Sequence, residues 1–123
     1  MAASERAVEL ARLAAGAALD KKGVEPVAFD VSERLAITDA FLIVSASNER
    51  QVGAIVDGIE EALLGVGAKP VGREGVGDNR WVLLDYLDLI AHVQHSEERS
   101  VYSLERLWKD CPEIPLEPAA QTS

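Results

Sequence analysis

Two carboxylates stand close together at a short corner between two apolar segments. Asp85 and Asp88 interrupt the run of residues 81–93, in which most other positions are aliphatic. Carboxylates near a strand turn can hold Mg²⁺ for phosphoryl or nucleotidyl transfer. Such an enzyme also needs basic or glycine-rich elements to grip a triphosphate, and the sequence has none at a suitable position. A divergent nucleotidyltransferase-like enzyme that uses Asp85 and Asp88 is therefore the alternative hypothesis.

The same run carries aromatic and imidazole side chains that packing alone does not require. Trp81 and Tyr86 stand close to the two aspartates, and His92 follows them. Trp and Tyr beside carboxylates at a strand edge form a typical protein-binding hot spot, in which the ring anchors and the acid pairs with a partner's Lys or Arg. The same aromatic residues can also be core residues. These residue types alone leave both interpretations open.

Two further patterns do not support catalysis. The loop of residues 72–80 is rich in glycine but lacks the Gly-Lys-Ser/Thr ending of a P-loop, and its Glu74 and Asp78 would repel a phosphate. Ser45 and Ser47 follow an apolar run without the glycines of a nucleophile elbow. We expect neither a bound cofactor nor a nucleophilic serine.

The possible metal ligands do not converge. His92 and His95 are three residues apart in a predicted strand, so that their side chains point to opposite faces. A zinc site needs three or four ligands, and Cys111 alone does not complete one at the usual spacing. We expect no metal site.

Length and composition indicate one globular domain. Of the 123 residues, 48% are hydrophobic and 27% are charged, and a domain of this size buries roughly two-thirds of its unfolded surface. No apolar run reaches the about 18–20 residues that a membrane span needs. Residues 1–20 contain acidic side chains and no continuous apolar block, unlike a secretory signal. With a single cysteine, these features predict a cytoplasmic protein without membrane contact.

The formal net charge of −9 bears on the choice of partner. It opposes direct binding to a phosphate backbone, which requires clustered Lys and Arg. It favours approach to a basic protein surface. We therefore expect a protein partner rather than sequence-specific nucleic-acid binding, although solubility alone also explains such a charge.

Hydrophobic periodicity predicts an α/β (α+β-like) domain, a mixed sheet flanked by helices in the order α-β-β-α-β-β-β-α. Two consecutive strands occur twice, so the sheet cannot be purely parallel. Residues 41–44 are apolar without alternation, which is typical of a central strand covered on both faces. Asn48 and Gln51 have the spacing of a capping box at the start of the second helix. The remaining elements are predicted as a first helix over 3–22, strands over 26–31 and 37–45, a strand from about 69, two strands within 81–93 and a short helix over 103–108.

The domain is predicted to comprise residues 1–110. Pro112, Pro115 and Pro118 follow it. Residues 111–123 are therefore predicted to form a disordered tail.

An ordered set of short motifs resembles the Iojap family of ribosomal silencing factors. The resemblance runs from about Glu5 to Trp108, nearly the whole predicted domain. Each motif is short, but the set at these spacings is specific. The motifs are Ile37-Thr38-Asp39, Ser47-Asn48-Glu49-Arg50-Gln51-Val52, Trp81-Val82-Leu83-Leu84-Asp85-Tyr86, Asp88, His92-Val93, Glu97-Glu98-Arg99 and Leu104-Glu105-Arg106-Leu107-Trp108.

The resemblance implies a translation repressor that is not an enzyme. Such proteins bind large-subunit ribosomal protein fourteen on the joining face of the large ribosomal subunit and block docking of the small subunit when nutrients run short. It also implies a homodimer and a fold related to nucleotidyltransferases without their catalytic set. By this analogy the partner-binding residues are Trp81, Asp85, Tyr86, Asp88 and His92, with Asp39 as a weaker candidate that caps or orients its loop.

Three residues depart from the family pattern. Leu87 stands where the family has glycine in its Asp-Tyr-Gly-Asp corner, so a positive φ there would be strained. Gln94 replaces an apolar residue, which predicts a less buried strand end. Ser96 stands where proline is common, which loosens the connection to Glu97.

Overall fold

A computed structural model, which describes residues 2–116, has a six-stranded sheet with helices on both faces. The strands lie in the order β3-β4-β5-β2-β1-β6; β2 and β5 are parallel, and the other neighbours are antiparallel. The predicted mixed sheet flanked by helices is confirmed. The elements are α1 (Glu5–Asp20), β1 (Val24–Asp30), β2 (Ala40–Ala46), α2 (Glu49–Leu64), β3 (Gly72–Glu74), β4 (Trp81–Asp85), β5 (Leu89–His95), α3 (Ser96–Tyr102), α4 (Leu104–Leu107) and β6 (Glu113–Ile114).

The two parallel strands form the centre of the sheet. Every residue of β2 and of β5 is buried, because α1 and α2 cover one face and α3, α4 and the segment after β1 cover the other. The prediction that residues 41–44 belong to a central strand is confirmed. We call the face under α1 and α2 the helical face, and the opposite one the aromatic face.

The helical face is closed by two capped helices. Ser4 begins α1, and its Oγ accepts a hydrogen bond of 3.0 Å from the Ala7 amide. Asn48 begins α2, and its Oδ1 accepts a bond of 2.8 Å from the amide of Gln51. The predicted capping box forms only in this direction, because the Gln51 side chain donates to the carbonyl of Lys21 at the end of α1. This bond ties the end of one helix to the beginning of the other.

A hairpin replaces part of the predicted glycine-rich loop. Residues 72–74 form β3, which pairs with β4, so the strand predicted from about residue 69 begins later. Gly75 has a φ of +82°, and a Cβ there would lie 2.0 Å from the Trp81 carbonyl oxygen. The turn therefore requires glycine for conformation and for space, rather than for binding a phosphate.

The predicted disordered tail is wrong for residues 111–116. Ile114 is buried and, with Glu113, pairs with β1 as the edge strand β6. The prolines do not prevent this, because a proline carbonyl still accepts: the Asp30 amide donates to Pro112, and Arg12 Nε donates to the carbonyl of Pro115 at 2.9 Å. Residues 117–123 of the predicted tail lie outside the described residues.

The segment after β5 also differs from the prediction. The helix expected over 103–108 is the shorter α4, and a helix that was not predicted, α3, precedes it. Ser103 joins them with a φ of +45°, in the left-handed region. This bend lets α4 and Trp108 fold back onto the aromatic face, while α3 itself has no buried residue.

Candidate partner-binding surface

Strand alternation brings three of the five predicted site residues to the aromatic face. Trp81 and Asp85 are odd-numbered positions of β4, and His92 lies in β5 opposite Leu83. Trp81 and Leu83 are partly exposed, at the margin of the buried residues of this face. That buried group consists of Phe29, Val31, Phe41, Ile43, Ile90, Leu104 and Cys111.

The aromatic rings of this face touch one another. Trp81 lies with its ring centroid 5.0 Å from that of Tyr102, and Phe41 lies 4.9 Å from His92 and 5.2 Å from Trp108 in edge-on geometry. Such pairs stabilise by about 0.5–1.5 kcal/mol each beyond the burial of their area. We call these five residues the aromatic cluster.

His92 is a buried support for Trp81 rather than a surface contact. Its Nδ1 accepts a hydrogen bond of 3.1 Å from the indole Nε1 of Trp81, which assigns the ring proton of the neutral imidazole to Nε2. Burial lowers the pKa of His92 to about 4, so the ring is neutral at pH 7. The resemblance to the family predicted His92 at or near the surface, but the surrounding side chains leave it only 6% exposed.

Tyr86 does not join the other predicted residues. It lies on the helical face, 6% exposed, within the core formed with α1 and α2. Burial, with a smaller contribution from Glu60, raises the pKa of Tyr86 to about 12. Tyr86 continues the strand alternation and faces the same side as Val82 and Leu84, and its expected surface position is therefore wrong.

The corner between β4 and β5 is shaped by its aspartates. Asp85 Oδ1 accepts a hydrogen bond of 2.8 Å from the amide of Leu87, and Leu87 has a φ of +72°. The strain expected from a non-glycine residue here is therefore present in the structure. The Asp88 carbonyl accepts from the amides of Asp39 and Ala40, which fixes the corner to the start of β2.

The side chains of Asp88 and Asp39 have different roles. The Asp88 carboxylate is partly exposed and has no hydrogen bond or ion pair with any other described residue. The Asp39 Oδ2 accepts a bond of 3.0 Å from the Ser4 amide ahead of α1. Asp39 thus orients its loop, as one of its predicted roles required, and Asp88 is the carboxylate that remains available to a partner.

Exposed apolar side chains adjoin this acidic corner and the aromatic cluster. Leu87 is 58% exposed beside Asp85, Ile37 is 68% exposed close to Asp39, and Tyr102 is 53% exposed against Trp81. Leu87 and Ile37 form an apolar patch at the corner that carries the free carboxylate of Asp88, whereas Trp81, which lies opposite Gln94, and Tyr102 lie toward the other end of β4. Sequence reasoning did not select Tyr102, Leu87 or Ile37, because their exposure depends on how α3 and the corner fold.

Arg80 holds α3 against the sheet in place of apolar burial. Arg80 pairs with Glu49 of α2 at 3.0 Å and with Glu97 and Glu98 of α3 at 2.9 and 2.7 Å. These bonds raise the pKa of the Arg80 guanidinium and lower the pKa of the Glu97 carboxyl. The network positions Tyr102 against Trp81. The resemblance to the family marked its glutamates, Glu49, Glu97 and Glu98, but not Arg80.

Gln94 contradicts the prediction of a less buried strand end. It is fully buried on the aromatic face opposite Trp81, and neither polar atom of its side-chain amide has a hydrogen-bond partner among the described residues. The residue before it and the residue after it are buried as well, because β5 is central along its whole length.

In the part of the chain that the structure describes, the corner between β4 and β5 offers one free carboxylate, that of Asp88. Among residues 2–116, no group of three or more His, Cys, Asp or Glu side chains is placed to hold a metal ion. One carboxylate oxygen of Asp85 accepts the hydrogen bond from the Leu87 amide. Asp88 forms no ion pair with any described residue. No helix of the described chain is long and apolar enough to cross a bilayer.

Comparison with known proteins identifies the family. Residues 4–123 match the family described as ribosomal silencing factor during starvation. The chain is 39% identical to a protein of Halalkalibacterium halodurans named ribosomal silencing factor, over 89% of this chain and 93% of that one. A protein of Bacillus subtilis with the same name is 38% identical over 82% of this chain and 86% of its own length.

A solved structure supports the same relationship. The crystal structure of a Chromobacterium violaceum protein superposes with a TM-score of 0.79 at 31% identity, covering 82% of this chain and 84% of that chain. The match to the family extends over nearly the whole sequence, and the relatives that share it carry the name of a regulator rather than of an enzyme. The chain therefore belongs to the ribosomal silencing factor family.

Proposed function

We propose that this protein represses translation by binding the large ribosomal subunit and sterically blocking the small one. The partner, by the family resemblance, is large-subunit ribosomal protein fourteen on the joining face, and repression acts when nutrients run short. The site of action is then the cytoplasm, where ribosomes work. The observation that carries the proposal is the free Asp88 carboxylate beside the exposed Leu87 and Ile37, because a basic ribosomal protein offers cations to that acid and apolar stems to those side chains.

The binding surface is revised from the one that the sequence predicted. We assign direct contact to Trp81, Asp88, Leu87 and Tyr102. Asp85 shapes the corner, and His92 supports the indole of Trp81. Tyr86 is left out, because it lies beneath the helices.

The net charge of −9 adds selectivity to this surface. It steers the protein toward a basic protein and away from exposed ribosomal RNA. Binding should therefore weaken as salt concentration rises, since screening shortens the reach of these charges.

Asp88→Asn tests the proposal more cleanly than Trp81→Ala or Asp85→Ala. Trp81 packs against Tyr102 and donates to His92, and Asp85 bonds the Leu87 amide, so both of those changes also disturb the fold. Asp88→Asn removes only a charge that has no partner within the described chain. We expect about tenfold weaker co-sedimentation with the large subunit, or ~1.4 kcal/mol, and a matching loss of inhibition in a subunit-joining assay.

Asp57→Asn is the matched control. Asp57 is exposed on α2, on the opposite side of the sheet, and its substitution changes the net charge by the same amount. Equal binding by both variants would overturn the surface assignment, and no binding of the unmodified protein to either subunit would overturn the function. Mg²⁺-dependent nucleotide turnover that Asp88→Ala abolishes would instead support the nucleotidyltransferase-like alternative.

The homodimer implied by the family remains a prediction. Sedimentation velocity of the purified protein across a concentration series would measure it. The same experiment with Leu87→Ala would show whether the apolar patch also serves as the dimer contact.

A further inference from the structure

A crevice opens where the two central parallel strands end. After β2 the chain enters α2 on the helical face, whereas after β5 it enters α3 on the aromatic face. β2 and β5 are direct neighbours, so the chain leaves two adjacent strands toward opposite sides. In open α/β sheets such a divergence leaves a crevice outside the carboxyl ends of the strands, and ligands bind there.

One wall of this crevice is fixed by Arg99. Its guanidinium donates to the carbonyls of Val24 and Glu25 at 2.8 and 2.7 Å, to Ser45 Oγ at 3.1 Å and to the Glu105 carboxylate at 2.9 Å. These bonds use its donors in holding α3 and α4 to the ends of β1 and β2. Arg99 therefore builds the site and has little capacity left for a ligand.

Other polar groups of the crevice remain available. Arg106 and Lys109 line it, are exposed, and form no ion pair with a described residue. The hydroxyls of Ser96 and Ser100 line it too and have no hydrogen-bond partner among residues 2–116. Ser45 Oγ accepts from Arg99 and keeps its own proton to donate. The crevice thus offers two free cations and three hydroxyl donors to one ligand.

This donor set fits a phosphate group. The crevice has a volume of about 740 Å³, within the range of about 300–1,000 Å³ that is usual for small-molecule sites. Of its two acids, Glu105 is neutralised by Arg99, and only Glu25 opposes the two cations. We propose that this crevice binds a small phosphorylated ligand, with Arg106 and Lys109 as the charge partners and the serine hydroxyls as donors. An extended polyanion fits less well, because Glu25 lines the crevice and the whole chain carries −9.

The test is a titration of the full-length protein, labelled with ¹⁵N, with sodium pyrophosphate and separately with adenosine triphosphate. We expect saturable shifts of the backbone amides of residues 96–103. Tighter binding of the nucleotide than of pyrophosphate would identify a nucleotide as the source of the phosphate, and equal binding would identify the phosphate alone. Arg106→Gln/Lys109→Gln should weaken binding at least about tenfold, as expected for the loss of charged hydrogen bonds.

Arg50→Gln/Lys69→Gln is the control, because it removes the same charge from exposed residues outside the crevice. Absence of saturable shifts, or equal weakening by the control variant, would overturn the proposal. A single-stranded RNA oligonucleotide that binds more tightly than pyrophosphate and shifts the same amides would overturn the small-ligand assignment. Ribosome binding is measured separately, so failure here leaves the proposed function untouched.

Discussion

Leu87→Gly should stabilise the protein although it removes a side chain. Leu87 has a φ of +72° and is 58% exposed, so its side chain gains little from burial while its Cβ meets left-handed strain of about 1–2 kcal/mol. Glycine relieves that strain but adds freedom to the unfolded chain, which costs about 0.5–1 kcal/mol. The net gain should be about 0.5–1 kcal/mol, visible as a higher midpoint of urea unfolding at an unchanged slope.

Leu87→Ala separates backbone strain from the side chain. Alanine keeps the Cβ and therefore the strain, so its free energy of unfolding should stay within about 0.5 kcal/mol of the parent. In ribosome co-sedimentation the two variants should lose affinity equally, because both lack the exposed leucine. If Leu87→Gly is no more stable than Leu87→Ala, the strain argument for this corner is refuted.

Four further substitutions test the turn between β3 and β4 and the buried polar residues of β5. Gly75→Ala should lower the free energy of unfolding in urea by at least about 2–3 kcal/mol, because its Cβ would collide with the Trp81 carbonyl. Gly77→Ala should lower it by only about 1 kcal/mol, because residue 77 has a positive φ but open space around it. Gln94→Leu should raise the free energy of unfolding by about 1–2 kcal/mol, since it removes a buried amide without partners; a loss of stability would show that this amide is satisfied in solution. The pKa of His92 is depressed to about 4. The contribution of the neutral ring to the free energy of unfolding is therefore complete above pH 6.5 and is lost as the pH falls toward 4. That loss should reach about 3 kcal/mol and should be smaller in His92→Asn, whose Oδ1 can still accept from Trp81; equal pH profiles of unfolding would contradict the assignment.

The parts of the fold that the sequence predicted well are those with long or unbroken apolar patterns. The second helix was predicted from its stripe and from Asn48, and β2 from residues 41–44, because a strand without alternation must be covered on both faces. The failures involve short elements. The edge strands β3 and β6 have three and two residues, and their pairing depends on long-range partners rather than on local propensity.

The proposed binding surface follows from the sequence only in part. Local motifs indicated Trp81 and Asp88, but membership of a motif does not say which way a side chain faces. Tyr86 continues the alternation of Val82 and Leu84 and faces the helices, so alternation along the strand was the signal that could have separated it from Asp85. Tyr102 was missed because its exposure results from the ion pairs of Arg80, which join residues far apart in sequence.

The Asp88 carboxylate and the crevice lie at opposite ends of the parallel strands, and this makes the two proposed sites separable by charge. Asp88 directly precedes β5, whereas Ser96 directly follows it. A seven-residue strand spans about 20 Å, twice the Debye length of about 8–10 Å at physiological salt. Arg106→Gln/Lys109→Gln should therefore leave ribosome co-sedimentation within about twofold of the parent, while Asp88→Asn should leave pyrophosphate binding unchanged. Loss of both functions in either variant would show that the sites are coupled through α3, which carries both Ser100 of the crevice and Tyr102 of the binding surface.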